Sequence, residues 1–222
     1  MTALQVEGLT FAYEGGEPTL RDVSFSLPAG EAVVVAGRSG CGKSTLCRCL
    51  CGVLPGPRDT YRGRIAVDGQ EIAALPRDQA ARRVGLVFQD PDDQLICTTV
   101  EDELAFGLEN LCVPPEEIRR RVDQTLARFS LTELALRDPA TLSGGQKKLV
   151  TIASVLLMGP GLLLLDEPMT GLDADSRALV RGAIDALLAD GCAIVAVEHD
   201  LSLAGYADRI LYLRDGRVYD TP

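Results

Sequence analysis

Three things are scarce in this sequence, and each scarcity removes a class of protein. Positive charge is short: 22 lysines and arginines face 32 acids, for a net charge of −10. Proteins that hold nucleic acid normally offer a basic face, so no nucleic-acid partner is expected. Histidine occurs once. The cluster "CRCLC" sets Cys47 and Cys51 four apart on one helix face but has no second ligand pair, so small buried thiols are expected there and not a metal centre. A long apolar run is also missing. The longest candidate, "VTIASVLLMGPGLLLLD", is broken by Gly159, Pro160 and Gly161, and reads as helix, turn and buried strand, not as a bilayer span. The opening "MTALQVEGLTFAYEGG" has no basic segment ahead of an apolar one, and the seven cysteines are an odd number. Reduced thiols in the cytoplasm are therefore expected. No internal repeat or low-complexity segment is evident.

What remains is 222 residues, 46% hydrophobic, with a mean hydropathy of +0.12. That suits one α/β domain with a modest lobe. Leu4 to Leu27 alternates like a β-hairpin around "YEGGEP". "EAVVVAG" is a valine-rich run of the kind buried on both faces of a sheet, and "KSTLCRCLCGVL" continues as a helix. "RIAVDGQEI" reads as a further hairpin and "RVGLVFQ" as a strand ending at Gln89. From Asp90 to Ala140 the texture is amphipathic helix, with proline and acids at the start of "PPEEIRRRVDQTLARF". Then come a helix in "GGQKKLVTIASVLLMG", a buried strand in "LLLLDEP", a helix over "DADSRALVRGAIDALLADG" stopped by Gly191, a buried strand in "CAIVAVEHD", and a terminal hairpin in "DRILYLRDGRVYD". Buried strands alternating with helices predict a mostly parallel sheet that binds its ligand at the carboxyl ends of the strands.

The strand–loop–helix at "GRSGCGKST" is a phosphate cradle. Gly37, Gly40 and Gly42 let successive N–H groups of Gly37, Arg38, Ser39, Gly40, Cys41, Gly42, Lys43, Ser44 and Thr45 face phosphates at a helix N-terminus. Lys43 supplies a point charge, and the Ser44 hydroxyl suits Mg²⁺. After "LLLL", Asp166 is placed to hold Mg²⁺ through water, and Glu167 to orient and polarise an attacking water. His199 ends the next buried strand at the same sheet edge, within expected reach of the γ-phosphate.

In motif order and over essentially the whole chain, these residues resemble the nucleotide-binding subunit of an ATP-binding cassette (ABC) transporter. The resemblance implies a P-loop NTPase (RecA-like) α/β core with an antiparallel β subdomain and an inserted α-helical lobe. Residues 1–222 would form one nucleotide-binding domain, with 1–89 and 141–222 as catalytic core and 90–140 as the lobe. ATP and Mg²⁺ are the implied cofactors. Tyr13 matches the aromatic that stacks on adenine, Gln89 the Q-loop glutamine, and Gly171 to Asp173 the D-loop. Ser44, Gln89 and Asp166 become the Mg²⁺ set, and Glu167, His199, Lys43 and Gln89 the catalytic set. "LSGGQ", Leu142 to Gln146, matches the signature. In this family two subunits pack head to tail, so Ser143, Gly144, Gly145 and Gln146 would read the ATP of the partner subunit.

"VGLVFQDPDDQLICTTVEDELAFGLENL" is similar, more narrowly, to ATPases of energy-coupling factor and cobalt-type importers, which take up vitamins or transition-metal ions. This implies a second ATPase subunit, a membrane T-type scaffold and an S-type substrate-binding subunit, and a peripheral location on the cytoplasmic face of the cell membrane. A conventional ABC importer or exporter ATPase is the alternative, and a non-transport ABC ATPase a more distant one. Leu149 stands where an arginine often follows the signature and Met169 where threonine usually follows "DEP"; both imply tuning, not loss. The chain also stops soon after its terminal hairpin, where many energy-coupling ATPases run longer. Two expectations come from residues alone. Cys41 should be a reactive thiol at a helix N-terminus. Asp90, Asp92, Asp93, Glu101, Asp102 and Glu103 should rim an apolar groove for a basic helix of a membrane subunit.

Overall fold

In the computed structural model, which describes residues 2–220, two sheets share one apolar layer. β1 (Thr2–Ala12) and β2 (Leu20–Pro28) pair antiparallel, and alternation sends Leu4, Val6, Phe25 and Leu27 inward. β4 (Thr60–Val67) flanks β1 on its other side, and β5 (Gln70–Glu71) returns along β4. The β4–β5 turn places both Asp68 and Gly69 at positive φ, as a two-residue hairpin loop requires.

The second sheet has the order β10-β9-β3-β8-β7-β6. Its strands are β3 (Ala32–Ala36), β6 (Val84–Val87), β7 (Leu162–Asp166), β8 (Ala193–Glu198), β9 (Arg209–Arg214) and β10 (Arg217–Tyr219). All neighbours are parallel except β10, which turns back on β9. β3 and β8 are apolar along their length, apart from Glu198, because both faces are covered. Val33, Val35, Leu162, Leu164 and Val195 pack towards the antiparallel sheet and α1 (Lys43–Leu50). Val34, Leu163, Leu165, Ile194 and Ala196 pack the other way, into the layer of α5 (Gly144–Leu156) and α6 (Ala174–Ala189).

α3 (Val100–Asn110) and α4 (Pro115–Arg128) form the helical segment after β6. α4 starts on Pro115 with Glu116 and Glu117 in its first turn, and buries Ile118, Val122 and Leu126 at a spacing of four. Those side chains, with Val100, Leu104 and Leu108 of α3, join the same apolar cluster as α5 and α6. The buried thiols of α1 behave as small apolar groups: burial pushes Cys49 up to about 12 and raises Cys47 well above its ordinary value.

Two sequence expectations need correction, and one helix was not foreseen. β6 stops at Val87, so Phe88 and Gln89 belong to the exit loop and not to the strand. A seven-residue helix, α2 (Arg77–Arg83), precedes β6; its sequence "RDQAARR" buries only Ala80 and so carries no apolar period to reveal it. Glu103 does not rim a groove. It is buried, and its Oε2 accepts from the Ile96 and Cys97 amides, both at 2.8 Å, pinning the loop before α3.

Candidate active site

Four loops leave the carboxyl edge of the parallel sheet from strands β3, β6, β7 and β8, and each carries a predicted functional side chain. The loop after β3 curls back over its own backbone. Gly40 and Gly42 adopt positive φ, 78° and 109°, which residues with a Cβ avoid, and Gly42 is the N-cap of α1. At Gly37 a Cβ would lie 2.6 Å from both Cys41 Sγ and Leu213 O, so the close approach admits only glycine. The thiol of Cys41 thus lies against the loop backbone at Gly37 instead of projecting from a helix start. Lys43 Nζ donates to Gly37 O at 2.7 Å and Arg38 O at 3.2 Å, which brings the cation into the cradle.

The β3 and β7 loops meet through Ser44, whose hydroxyl donates to Asp166 Oδ2 at 3.2 Å. Burial raises the Asp166 carboxyl above its usual range, with the Ser44 hydrogen bond and Lys43 opposing. A partly buried carboxylate beside a hydroxyl is a hard-oxygen pair of the kind Mg²⁺ accepts while keeping most of its waters. The residues present therefore fit that ion.

Glu167 is the hub. Gln89 Nε2 donates to its Oε2 at 2.9 Å, and His199 Nδ1 lies 3.1 Å from the same oxygen. Glu167 has φ +46°, a conformation uncommon for a side chain of its size, while its amide still bonds Val197 O of β8. The left-handed turn sets the carboxylate between the β6 and β8 loops. Tyr13 sits beside this edge, its hydroxyl 3.1 Å from Thr45 Oγ1 and its ring edge-on to Phe11.

The signature residues lie apart from that cluster. Ser143 is the N-cap of α5, and it forms a capping box with Gln146: Gln146 N donates to Ser143 Oγ at 3.3 Å, and Ser143 N to Gln146 Oε1 at 3.0 Å. Among the described residues, no hydrogen bond joins Leu142–Gln146 to Gly37–Thr45. Ser143 and Gly144 are exposed. Gly145 is buried, and a Cβ there would meet Ser176 Oγ at 2.3 Å, so this glycine admits the first turn of α6. Asp173 caps that helix, accepting from Ser176 N at 2.8 Å, and this bond lowers its carboxyl below the usual range.

Two buried charges escaped sequence reasoning. Lys148 has its Nζ on Phe88 O and Gln89 O, at 2.9 and 2.7 Å. Glu198, just before His199, is fully buried with neither oxygen hydrogen-bonded among the described residues; burial, reinforced by Glu167, pushes it up to about 7. Both lie in apolar-looking stretches, and only a lone charge inside an otherwise buried pattern could have signalled them.

Comparison with known proteins supplies the remaining findings. Residues 20–170 match the family model described as "ABC transporter". The chain is 39% identical over 216 residues to the energy-coupling factor transporter ATP-binding protein EcfA of Methanosarcina acetivorans, covering 97% of this chain and 77% of that one. It is likewise 39% identical over 218 residues to EcfA1 of Enterococcus faecalis, with the same coverage. Among solved structures, cbiO1 from Clostridium perfringens, described as part of the ABC transporter complex cbiONQ, superposes with a TM-score of 0.88 at 34% identity, over 98% of this chain and 87% of that one. A dimeric ATP-binding cassette in a post-hydrolysis state, bound to ADP and Pi, gives 0.82 at 29% identity, over 97% and 96%.

Proposed function

The chain belongs to the ABC transporter family, and from that premise we propose that its sheet edge holds ATP for hydrolysis while its signature loop serves a nucleotide held by a partner subunit. It is the ATP-hydrolysing subunit of an energy-coupling factor type importer, and it works as an ATPase dimer with membrane subunits. The observation that carries the site reading is the convergence of Gln89 and His199 on Glu167 beside the Ser44–Asp166 pair.

In this reading residues 1–222 act as one nucleotide-binding domain, with 90–140 as the helical lobe. Gly37–Thr45 wraps the phosphates, Lys43 exchanges its backbone bonds for the β- and γ-phosphates, and Tyr13 stacks on adenine. Ser44, Asp166 and Gln89 hold Mg²⁺, which supplies charge neutralisation at the phosphates when bound. Glu167 accepts a proton from the attacking water as the water oxygen bonds the γ-phosphorus and the bond to the ADP oxygen breaks. Gln89 orients Glu167, and His199 donates towards the γ-phosphate. Ser143 and Gly144 present their hydroxyl and amide to the partner's γ-phosphate, with Gly145 and Gln146 shaping the loop and Asp173 holding the facing turn.

Among the described residues no helix is long and apolar enough to cross a membrane. We assign the chain to the cytoplasmic face, held there by a T-type scaffold and an S-type subunit. Support comes from the outer part of a cavity of about 380 Å³, where Val53, Leu86 and Phe88 lie with Asp90, Asp93 and Arg48 beside Ser44, Gln89 and Asp166 of the nucleotide site. Apolar side chains flanked by two acids suit a short basic helix. Asp92 is spent on Lys147 at 2.6 Å, which leaves Asp93 as the acid to reverse. Asp93→Lys should weaken assembly and spare ATP binding.

The deciding experiment is to tag the chain, solubilise membranes in mild detergent and identify what copurifies by mass spectrometry. Recovery of a T-type scaffold with a small, very apolar S-type subunit supports this reading. Two ordinary permease subunits, or soluble partners alone, would sink the partner assignment.

A further inference from the structure

The "QKK" at Gln146–Lys148 carries two cations, and both reach across to the loop that leaves β6. They do so differently. Lys147 pairs with Asp92, an exposed acid, and such a bond contributes little in water. Lys148 is 1% exposed and binds no carboxylate directly. Its two bonds go to the main-chain oxygens of Phe88 and Gln89, while Asp166, Asp90, Glu198 and Glu167 face it from further off. Burial still prevails over those four acids and brings the amine down to about 8. An apolar chain of the same length would fill this space without desolvating a cation. Stability alone therefore does not account for a lysine here.

What the lysine holds is informative. The carbonyl of Gln89 is fixed by Lys148, and the side chain of the same residue donates to Glu167 Oε2. At the other end, Lys148 follows by five positions Ser143, the N-cap of the same helix α5. Leu149, which stands where an arginine often follows the signature, packs into the apolar layer, and the buried charge sits one place earlier.

We propose that Lys148 is a positioning residue that links the seating of the signature loop on one nucleotide to the Gln89–Glu167 pair at the other. The inference rests on the site reading given above. When Ser143 and Gly144 engage a nucleotide across the dimer, α5 moves as a unit and Lys148 carries the Phe88–Gln89 backbone with it. Gln89 already bonds Glu167 in the single chain, so the seating of the signature loop holds or shifts that pair through the backbone that Lys148 grips.

The test is steady-state ATP hydrolysis by the complex purified through a tag on this chain. It compares Lys148→Met, Lys148→Gln, Lys148→Arg, Gln89→Ala and the double variant of Gln89→Ala with Lys148→Met. Lys148→Met should lower kcat roughly 10- to 100-fold, the scale of a misplaced reacting group. KM for ATP should stay within about threefold, because the phosphate loop is untouched. Lys148→Arg should recover part of the loss, and the double variant should be no slower than the slower single. Losses that multiply in the double variant, or a raised KM with kcat unchanged, overturn the proposal. If Lys148→Met does not fold, Lys148→Gln, which keeps an uncharged amide NH₂ as donor, enters the same cycle with the same criteria. Gln89→Ala without effect would sink the site reading and this inference together; a slow Gln89→Ala beside unimpaired Lys148 variants sinks the inference alone.

Discussion

The carboxyl edge of the sheet and the N-terminus of α5 both present polar groups suited to phosphate, yet they are built in opposite ways. At the sheet edge the contacts are long-range: Ser44 and Asp166 are 122 positions apart in sequence, and Gln89 and Glu167 78 apart. At the signature the hydrogen bonds close within three positions, in the Ser143–Gln146 capping box. The first region is therefore assembled by the core and holds its charges against one another. The second is a self-contained turn that offers exposed groups outward. A turn of this kind gains a ligand only when another surface brings one, so in the proposed reading a single chain can carry two phosphate-reading loops without redundancy.

The largest effect should come from the hub of the first region. Glu167→Gln is expected to slow phosphate release on the order of 10²–10⁴-fold, the usual range for losing a positioned base, with ATP retained. Turnover within tenfold of the parent would remove Glu167 from the chemistry.

Next is a pH dependence confined to the same region. Glu198 holds its proton up to about 7 in the folded chain but releases it near 4.5 when unfolded. The folded state binds the extra proton in that window, so stability from this group is greatest at low pH and declines as pH rises from about 4.5 to 7. The full span is of order 3 kcal/mol. Glu167, His199, Asp200, Lys148 and Tyr206 are the charged and titratable groups near it. Chemical denaturation across this range should show the slope, and Glu198→Gln should flatten it.

The two signature glycines divide the second region. Gly145→Ala forces a Cβ to 2.3 Å from Ser176 Oγ and should cost about 1–3 kcal/mol in stability. Gly144→Ala meets nothing closer than Leu172 Cδ2 at 3.7 Å, so it should spare stability and cut hydrolysis in the assembled dimer. Equal thermal shifts for both would erase the distinction between packing glycine and presenting glycine. The smallest effect on stability is that of Ser143→Ala, which removes the cap and should cost about 1 kcal/mol, a drop of roughly 2–4 °C in Tm for a chain of this size, while hydrolysis in the assembled dimer falls with the lost hydroxyl.

Much of this was legible in the residues. The valine run ahead of "GRSGCGKST", the four leucines ahead of Asp166 and the apolar run ahead of His199 each announce a strand covered on both faces, and the loops that follow must emerge at one edge. α2 was not legible, because it packs through Ala80 alone. Neither was the end of β6 at Val87, since Phe88 extends the apolar pattern while the chain is already leaving the sheet.

The sequence by itself determined the strand–loop–helix cradle, the order of buried strands and the capping turn of the signature, because each depends on residues within one or two turns of chain. Tertiary structure alone decided that Glu167 receives both Gln89 and His199, that the charges of Glu103 and Lys148 are buried, and that Gly145 makes room for α6. Those outcomes depend on burial and on distances between segments remote in the chain, and neither is written in any local pattern.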